Sequence, residues 1–212
     1  MKLVYCESGK DLCERAAREA AMRLQKAIDA RGEACLMADS GPDSALALEA
    51  LGQCGEVDLT KVYLLGTGQE AEGANWAVSA AGSLHMAGAD NMTHGGADEK
   101  ERYALVLAQR TVDVALLCLG EDGALAQMGP GDGLFKDAEK VKGTVEGRLA
   151  VTIPGILMAE CVIACASGSG KAQAVKDMCE AIISERCPAS VLRRHKDAVL
   201  MVDRESARLI RV

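Results

Sequence analysis

The sequence predicts an α/β fold: a three-layer domain whose central, mainly parallel sheet carries helices on both faces. Three observations predict it. Short apolar runs alternate with longer amphipathic stretches along the chain, the strand–helix order of a parallel sheet. The run Val112–Leu119 is almost continuously apolar, as a strand covered on both faces must be. Polar or Gly-rich turns follow strands at Asp39–Ser44, Gly66–Gly73, Gly120–Gly123 and Ser167–Lys171, at the sheet edge where such folds bind ligands. No linker, repeat or composition break divides the 212 residues, so a single domain over residues 1–212 is expected.

The elements follow in order. Lys2–Cys6 reads as a short first strand. Asp11–Arg31 carries Leu12, Ala16, Ala20, Leu24 and Ile28 on one face at helical spacing. Ala34–Ala38 is a strand, Asp39–Ser44 a turn, and Ala45–Leu51 a helix. Lys61–Leu65 is the next strand and Gly66–Gly73 a polar loop. Asn75–Met86 reads as a helix ended by Gly88, and the irregular stretch Ala89–Gly96 has room for a short strand near Met92. Asp98–Thr111 is amphipathic and helical, and Val112–Leu119 is the buried strand. Gly129–Gly147 reads as loop. Leu149–Ile153 is a strand, with Pro154 opening a helical turn. Cys161–Ala166 is a strand, Ser169–Arg186 a helix, Val199–Asp203 a strand, and Arg204–Leu209 a last helical turn.

Composition excludes several classes. Aromatics are 2% of residues, so base-stacking platforms are absent. The net charge is −7 and no Lys/Arg cluster is long enough for a polyanion, Arg193-Arg194 and Lys196 reading as a solvated helix end. No nucleic-acid partner is expected. No apolar run reaches about 18 residues, so no membrane span is expected. The start MKLVYCESGKDLCERA lacks the pattern of a signal peptide. Nine cysteines without a CxxC pair suit neither a zinc framework nor a secreted disulfide scaffold. Cys118, Cys161 and Cys165 read as small buried hydrophobes. A cytoplasmic protein without cofactor or metal is expected.

Two places carry candidate chemistry. In Ser167-Gly168-Ser169-Gly170-Lys171, glycines let the backbone approach an anion, a helix start offers N–H groups, and Lys171 adds charge. That describes a phosphate seat, and equally a strand-to-helix turn capped by Ser169. Asp122 ends a buried strand between turn glycines, where a carboxylate can exchange a proton. Spacing alone favours a turn-capping role for it. His85, His94 and His195 have no sequence neighbour that completes a catalytic pair.

The order of motifs resembles that of glucosamine-6-phosphate deaminases and the related 6-phosphogluconolactonases, from about Cys35 to Ala207. The stretches that carry it are VDVALLCLGEDG, RLAVTIPGILMAECVIACASGSGKAQAV and CPASVLRRHKDAVLMVDRESA. The last is similar to the deaminases, whereas Asn75-Trp76 and the short chain look more like the lactonases. The resemblance implies that Asp122 is the catalytic acid/base. It implies that Ser167, Gly168 and Lys171 contact a phosphate, with Ser40 and Gly41 in a second phosphate loop. Arg148 matches an arginine that holds the substrate anion.

The chain departs from the family pattern at linked positions. Ala124 stands where the family has a histidine, and Gly129 where deaminases have a glutamate. Gly66-Thr67-Gly68 replaces Asp-Glu-Tyr. Asp39-Ser40-Gly41-Pro42-Asp43-Ser44 replaces a Ser-Gly-Gly-Ser-Thr-Pro phosphate loop. Two carboxylates thus enter a phosphate site, where like charges repel, and Pro42 removes an N–H. Loss of one acid/base group costs a factor of about 100 to 10,000 in rate. Glu70, Glu72 and His94 are the candidates to stand in.

The resemblance therefore implies a divergent deaminase/isomerase-like protein of carbohydrate metabolism that acts on or binds a sugar phosphate. A 6-phosphogluconolactonase-like hydrolase and a catalytically silent metabolite-binding member are the alternatives. A small-molecule sugar phosphate is the expected partner, and a homo-oligomer is left open.

Overall fold

The computed structural model of the chain describes residues 1–68, 76–90, 97–143 and 148–210. Nine strands and six α-helices follow one another among them. They are β1 (Lys2–Cys6), α1 (Gly9–Arg31), β2 (Ala34–Ala38), α2 (Pro42–Cys54), β3 (Val62–Gly66), α3 (Trp76–Ser83) and β4 (Gly88–Asp90). Then come α4 (Ala97–Gln109), β5 (Val114–Cys118), β6 (Val141–Gly143), β7 (Leu149–Val151) and α5 (Ile153–Leu157). The chain continues through β8 (Cys161–Ala166), α6 (Ala172–Glu180) and β9 (Ala198–Asp203).

Seven strands form one sheet in the order β1-β9-β8-β5-β2-β3-β4, every neighbouring pair parallel. Successive side chains in a strand point to opposite faces, and here they divide between two cores. Leu36, Val114, Leu116, Ile163 and Cys165 face one side, with Leu12, Ala16, Ala20 and Leu24 of α1 and Leu48 and Leu51 of α2. Met37, Ala115, Leu117, Val162 and Ala164 face the other, with Tyr103 and Leu107 of α4 and Val175 and Met178 of α6. Helices on both faces of a parallel sheet make the three layers.

Helix α1 begins where the Ser8 hydroxyl accepts the Asp11 N–H at 3.2 Å, an N-cap that satisfies one free donor of the first turn. It ends at Gly32, whose φ of 85° closes the helix and sends its N–H to Ile28 O at 2.7 Å. Asp113 ties this end to the sheet. Its carboxylate accepts from Arg31 Nη2 at 2.6 Å and from the Cys35 N–H at 2.8 Å.

The structure corrects several boundaries. The expected turn Asp39–Ser44 is short, because α2 already starts at Pro42; proline lacks only an N–H that the first turn leaves unused. The helix expected over Asn75–Met86 stops at Ser83, before His85 turns left-handed with φ 55°. The strand beside Met92 lies earlier, at Gly88–Asp90, and Met92 itself lies outside the described residues. The stretch read as loop, Gly129–Gly147, contains β6, which pairs antiparallel with β7 apart from the main sheet. The strand expected over Leu149–Ile153 ends at Val151, since α5 already begins at Ile153 with Pro154 in its first turn. The helix expected over Ser169–Arg186 begins with a 3-10 turn, Ser169–Lys171, and ends at Glu180. Arg193 ends it by donating to the carbonyls of Cys179 and Ala181, from a 3-10 segment, Pro188–Arg194, that reads weakly in sequence.

Among the described residues no helix is long and apolar enough to cross a membrane. Asp113 supplies a test of the fold. Asp113→Ala leaves the buried Cys35 N–H and the end of α1 without their acceptor, at a cost of about 2 kcal/mol. Urea unfolding should show that loss with an unchanged m-value; an unchanged midpoint would mean Asp113 does not hold α1 to the sheet.

Candidate functional site

After β2 the chain moves outward to β3 and β4. After β5 it moves the opposite way, to β8 and β9. The loops leaving the adjacent strands β2 and β5 therefore part, and a crevice opens at the carboxyl edge between them, the general binding position in such sheets. The loop Asp39–Gly41 forms one wall, Leu119–Ala124 the other, and the turn Ser167–Lys171 after β8 closes the end. The cavity is about 400 Å³ and is lined by Ser40, Gly41, Cys118, Glu121, Ala124 and Lys171, among others. It shares Asp39 and Ser40 with a wider groove of about 680 Å³ between α2 and α3.

Two aspartates flank the N-terminus of α2 and have opposite environments. Asp39 is buried, and its carboxylate accepts the Cys118 N–H at 2.9 Å and the Gly41 N–H at 3.1 Å. Burial pushes its carboxyl up to about 6 against those donors. Gly41 is required for this approach: a Cβ there would lie 2.3 Å from Cys118 Cβ. Asp43, also buried, points the other way. It accepts Lys171 Nζ at 2.6 Å and the Ser167 N–H at 2.9 Å on Oδ2, and the Ser167 hydroxyl at 2.7 Å on Oδ1. Burial raises the Asp43 carboxyl, but the hydrogen bonds from Lys171 and Ser167 outweigh it and hold it below the ordinary range.

Lys171 is 7% exposed, so its charge has little water to fall back on. Burial lowers its ammonium, and Asp43 with Cys118 more than restores it, leaving it above the usual value. Its second contact is Cys118 Sγ at 2.9 Å. Burial raises the Cys118 thiol more than Lys171 lowers it. Removing either member of the Lys171–Asp43 pair would strand a buried charge, a cost of about 3–5 kcal/mol.

The structure brings together Ser40, Gly41 and Lys171 in the crevice wall, with Ser167 and Gly168 directly behind. The Gly168 N–H is bound to Asp203, at 3.0 Å to Oδ2 and 3.2 Å to Oδ1. Asp122 is exposed beside the crevice, where its Oδ1 accepts the Ala124 N–H at 2.9 Å in a local turn. Arg148 immediately precedes β7, whose Ala150 pairs with Gly68 beyond the end of β3, so it belongs to the far side of the edge. Glu70, Glu72 and His94 lie outside the described residues.

His195 is buried in a structural role. Its Nε2 lies 2.8 Å from Ala159 O and its Nδ1 accepts the Asp197 N–H at 3.1 Å. Among the described residues no group of three or more His, Cys, Asp or Glu is arranged to hold a metal ion. Sequence reasoning missed Asp43 as the partner of Lys171, and Cys118 as more than a buried hydrophobe. Strand alternation offered one signal, since Cys118 shares its face with Val114 and Leu116, the side on which α2 packs. Cys161 and Cys165 are buried in the sheet as read, and burial pushes the Cys161 thiol up to about 12.

The family described as glucosamine-6-phosphate isomerases/6-phosphogluconolactonase matches residues 75–201. A glucosamine-6-phosphate deaminase of Bacillus cereus strain B4264 is 32% identical over 129 residues, covering 53% of this chain and 49% of the relative. A glucosamine-6-phosphate deaminase of Exiguobacterium sibiricum is 29% identical over 130 residues, 53% of this chain and 52% of its own. The chain thus spans about half the length of the curated relatives it matches. Among solved structures, a monomeric glucosamine-6-phosphate deaminase superposes with a TM-score of 0.84 at 22% identity, over 99% of this chain and 100% of that one. A 6-phosphogluconolactonase of Shewanella baltica OS155 gives 0.82 at 18% identity, over 96% and 97%. At these identities the likeness is one of fold.

Asp39 yields a pH test. It titrates near 6 when folded, above the 3.8 of an ordinary aspartate, so between those values the folded chain holds a proton the unfolded chain has released. Its contribution to stability is complete below about pH 4 and is lost as pH rises through about 6, on the order of 3 kcal/mol. Asp43 has the opposite sign: its lowered carboxyl contributes stability that is lost as pH falls. The stability difference between wild type and Asp39→Asn should therefore fall between about pH 4 and 6.5. A difference independent of pH would mean that Asp39 does not titrate there.

Proposed function

The chain belongs to the glucosamine-6-phosphate isomerase/6-phosphogluconolactonase family, and from that premise we propose that it acts on or binds a sugar phosphate of carbohydrate metabolism at the β2–β5 crevice. The reaction type proposed first is that of a glucosamine-6-phosphate deaminase/isomerase. One observation carries the reading: an ammonium, a hydroxyl and a main-chain N–H from Ser167 and Lys171 converge on one anionic group at the strand edge. Those are the donors that bind phosphate oxygens.

In this reading Lys171, Ser167 and Gly168 lie at the phosphate end, and Ser40 and Gly41 lie along the crevice. Arg148 approaches from the β7 side, and Asp122 at the rim exchanges the proton. The proposal takes residues 1–212 as one domain, in the cytoplasm, a compartment that suits nine cysteines without a CxxC pair. Self-association is read out by sedimentation in the same buffers.

A second reading has its own support. Ala124 puts a methyl group in the crevice wall where the resemblance implies an imidazole, and the Asp122 carboxylate is engaged in a turn. A member that binds the metabolite without turning it over fits both facts. Lactone hydrolysis is the third activity to assay.

The experiment is a thermal-shift titration with glucosamine 6-phosphate and 6-phosphogluconate, with ammonia release and lactone hydrolysis followed on the same preparation. A ligand at 100 times its Kd should stabilise the protein by about 2.7 kcal/mol. Ammonia release that falls about 100-fold or more in Asp122→Asn supports the deaminase reading and the role of Asp122. Stabilisation without turnover in either assay selects the binding reading. No stabilisation by either compound would sink the sugar-phosphate assignment.

A further inference from the structure

We propose that Asp43 is a built-in competitor for the anionic group of the ligand, so that a phosphate reaches Lys171 and Ser167 only by displacing this carboxylate. The inference rests on the sugar-phosphate reading of the crevice and deepens it by assigning what sets affinity there.

Asp43 uses both oxygens. Oδ2 takes the Lys171 ammonium and the Ser167 N–H, and Oδ1 takes the Ser167 hydroxyl. Two oxygens bridging an ammonium, an N–H and an O–H reproduce the way a phosphate presents two of its oxygens. The carboxylate comes from α2, beside one wall of the crevice, 124 positions before Ser167 and 128 before Lys171.

One further donor of the turn is held by a protein carboxylate, and another carboxylate packs against it. The Gly168 N–H is held by Asp203. Glu121 packs over Gly170 so closely that a Cβ there would lie 2.2 Å from Glu121 Oε1. Three acidic side chains thus line the turn, and Asp43 is the one that pairs with the Lys171 ammonium. A phosphate arriving beside an ionised Asp43 meets a like charge in a partly buried place, where repulsion is several times its value in water. Binding becomes an exchange: the Lys171 and Ser167 bonds pass from carboxylate to phosphate, and Asp43 must rotate toward the crevice mouth.

The test measures the Kd of inorganic phosphate and of glucosamine 6-phosphate by calorimetry, for the full chain and for Asp43→Asn and Asp43→Ser. Both substitutions should tighten both ligands at least tenfold. Because the substitution leaves Lys171 without its counter-charge, each variant should also gain more in melting temperature from phosphate than wild type does. That readout persists if the variants are destabilised. Asp43→Asn/Lys171→Met, which removes both charges, should lose the gain. Wild type binding sugar phosphate as tightly as the variants would overturn the competitor role and leave the sugar-phosphate reading standing. Variants that gain inorganic phosphate but not the sugar phosphate would support the competitor and overturn that reading. No binding of either ligand by any form would overturn both.

Discussion

The Lys171–Asp43 contact is the interaction on which the arrangement of the site depends. It joins the N-terminus of α2, which leaves β2, to the turn that leaves β8. Those strands are not neighbours, since β5 lies between them. The bridge therefore spans the end of β5 and passes against Cys118, the last residue of that strand, whose Sγ is 2.9 Å from the same ammonium. Three segments that the sheet merely brings to one edge are thereby held at fixed separation, and the crevice keeps its shape.

A parallel sheet makes such a bridge necessary. Strand alternation commits the residues of the inner strands to one core or the other, so there polar groups collect where strands end. At the carboxyl edge Leu119, Leu125 and Met128 bury the loop after β5 in one core, but the short turns after β2 and β8 carry no such apolar residues to hold them. Hydrogen-bonded carboxylates do it instead: Asp39 on the Cys118 N–H, Asp43 on Ser167 and Lys171, Asp203 on Gly168 and on the Ser206 N–H at 2.8 Å. Each satisfies main-chain donors that burial would otherwise leave unpaired. Acidity at this edge is thus first a structural device.

Much of the fold was legible because it rests on local pattern. The ranges of β1, β2 and β8 agree with the apolar runs, and α1 follows its periodic Ala and Leu positions. Helix ends were less legible because distant groups set them, as Arg193 does for α6. Strand β6 is three residues long with one buried side chain, too short to carry a period. In the site, the glycine turns and Lys171 could be read from sequence, since turn chemistry is local. The part played by Asp43 could not, because its partners lie more than a hundred residues away. In sequence the two nearby aspartates read as carboxylates that repel a phosphate from one loop; the fold aims them at different donors, Asp39 toward β5 and Asp43 toward the β8 turn.

A buried lysine poses an energetic problem to any protein that must also exist without its ligand. An ammonium as enclosed as Lys171 needs an anion, and leaving it unpaired costs several kcal/mol. A site that waits for the ligand to supply that anion binds tightly but is strained while empty. A site that carries its own anion is stable when empty and yields affinity in exchange, since every bond offered to the ligand must first be taken from a carboxylate. Asp43 places this chain at the second extreme. The stability of the unliganded fold and the strength of its anion binding are then set by one side chain and move in opposite directions.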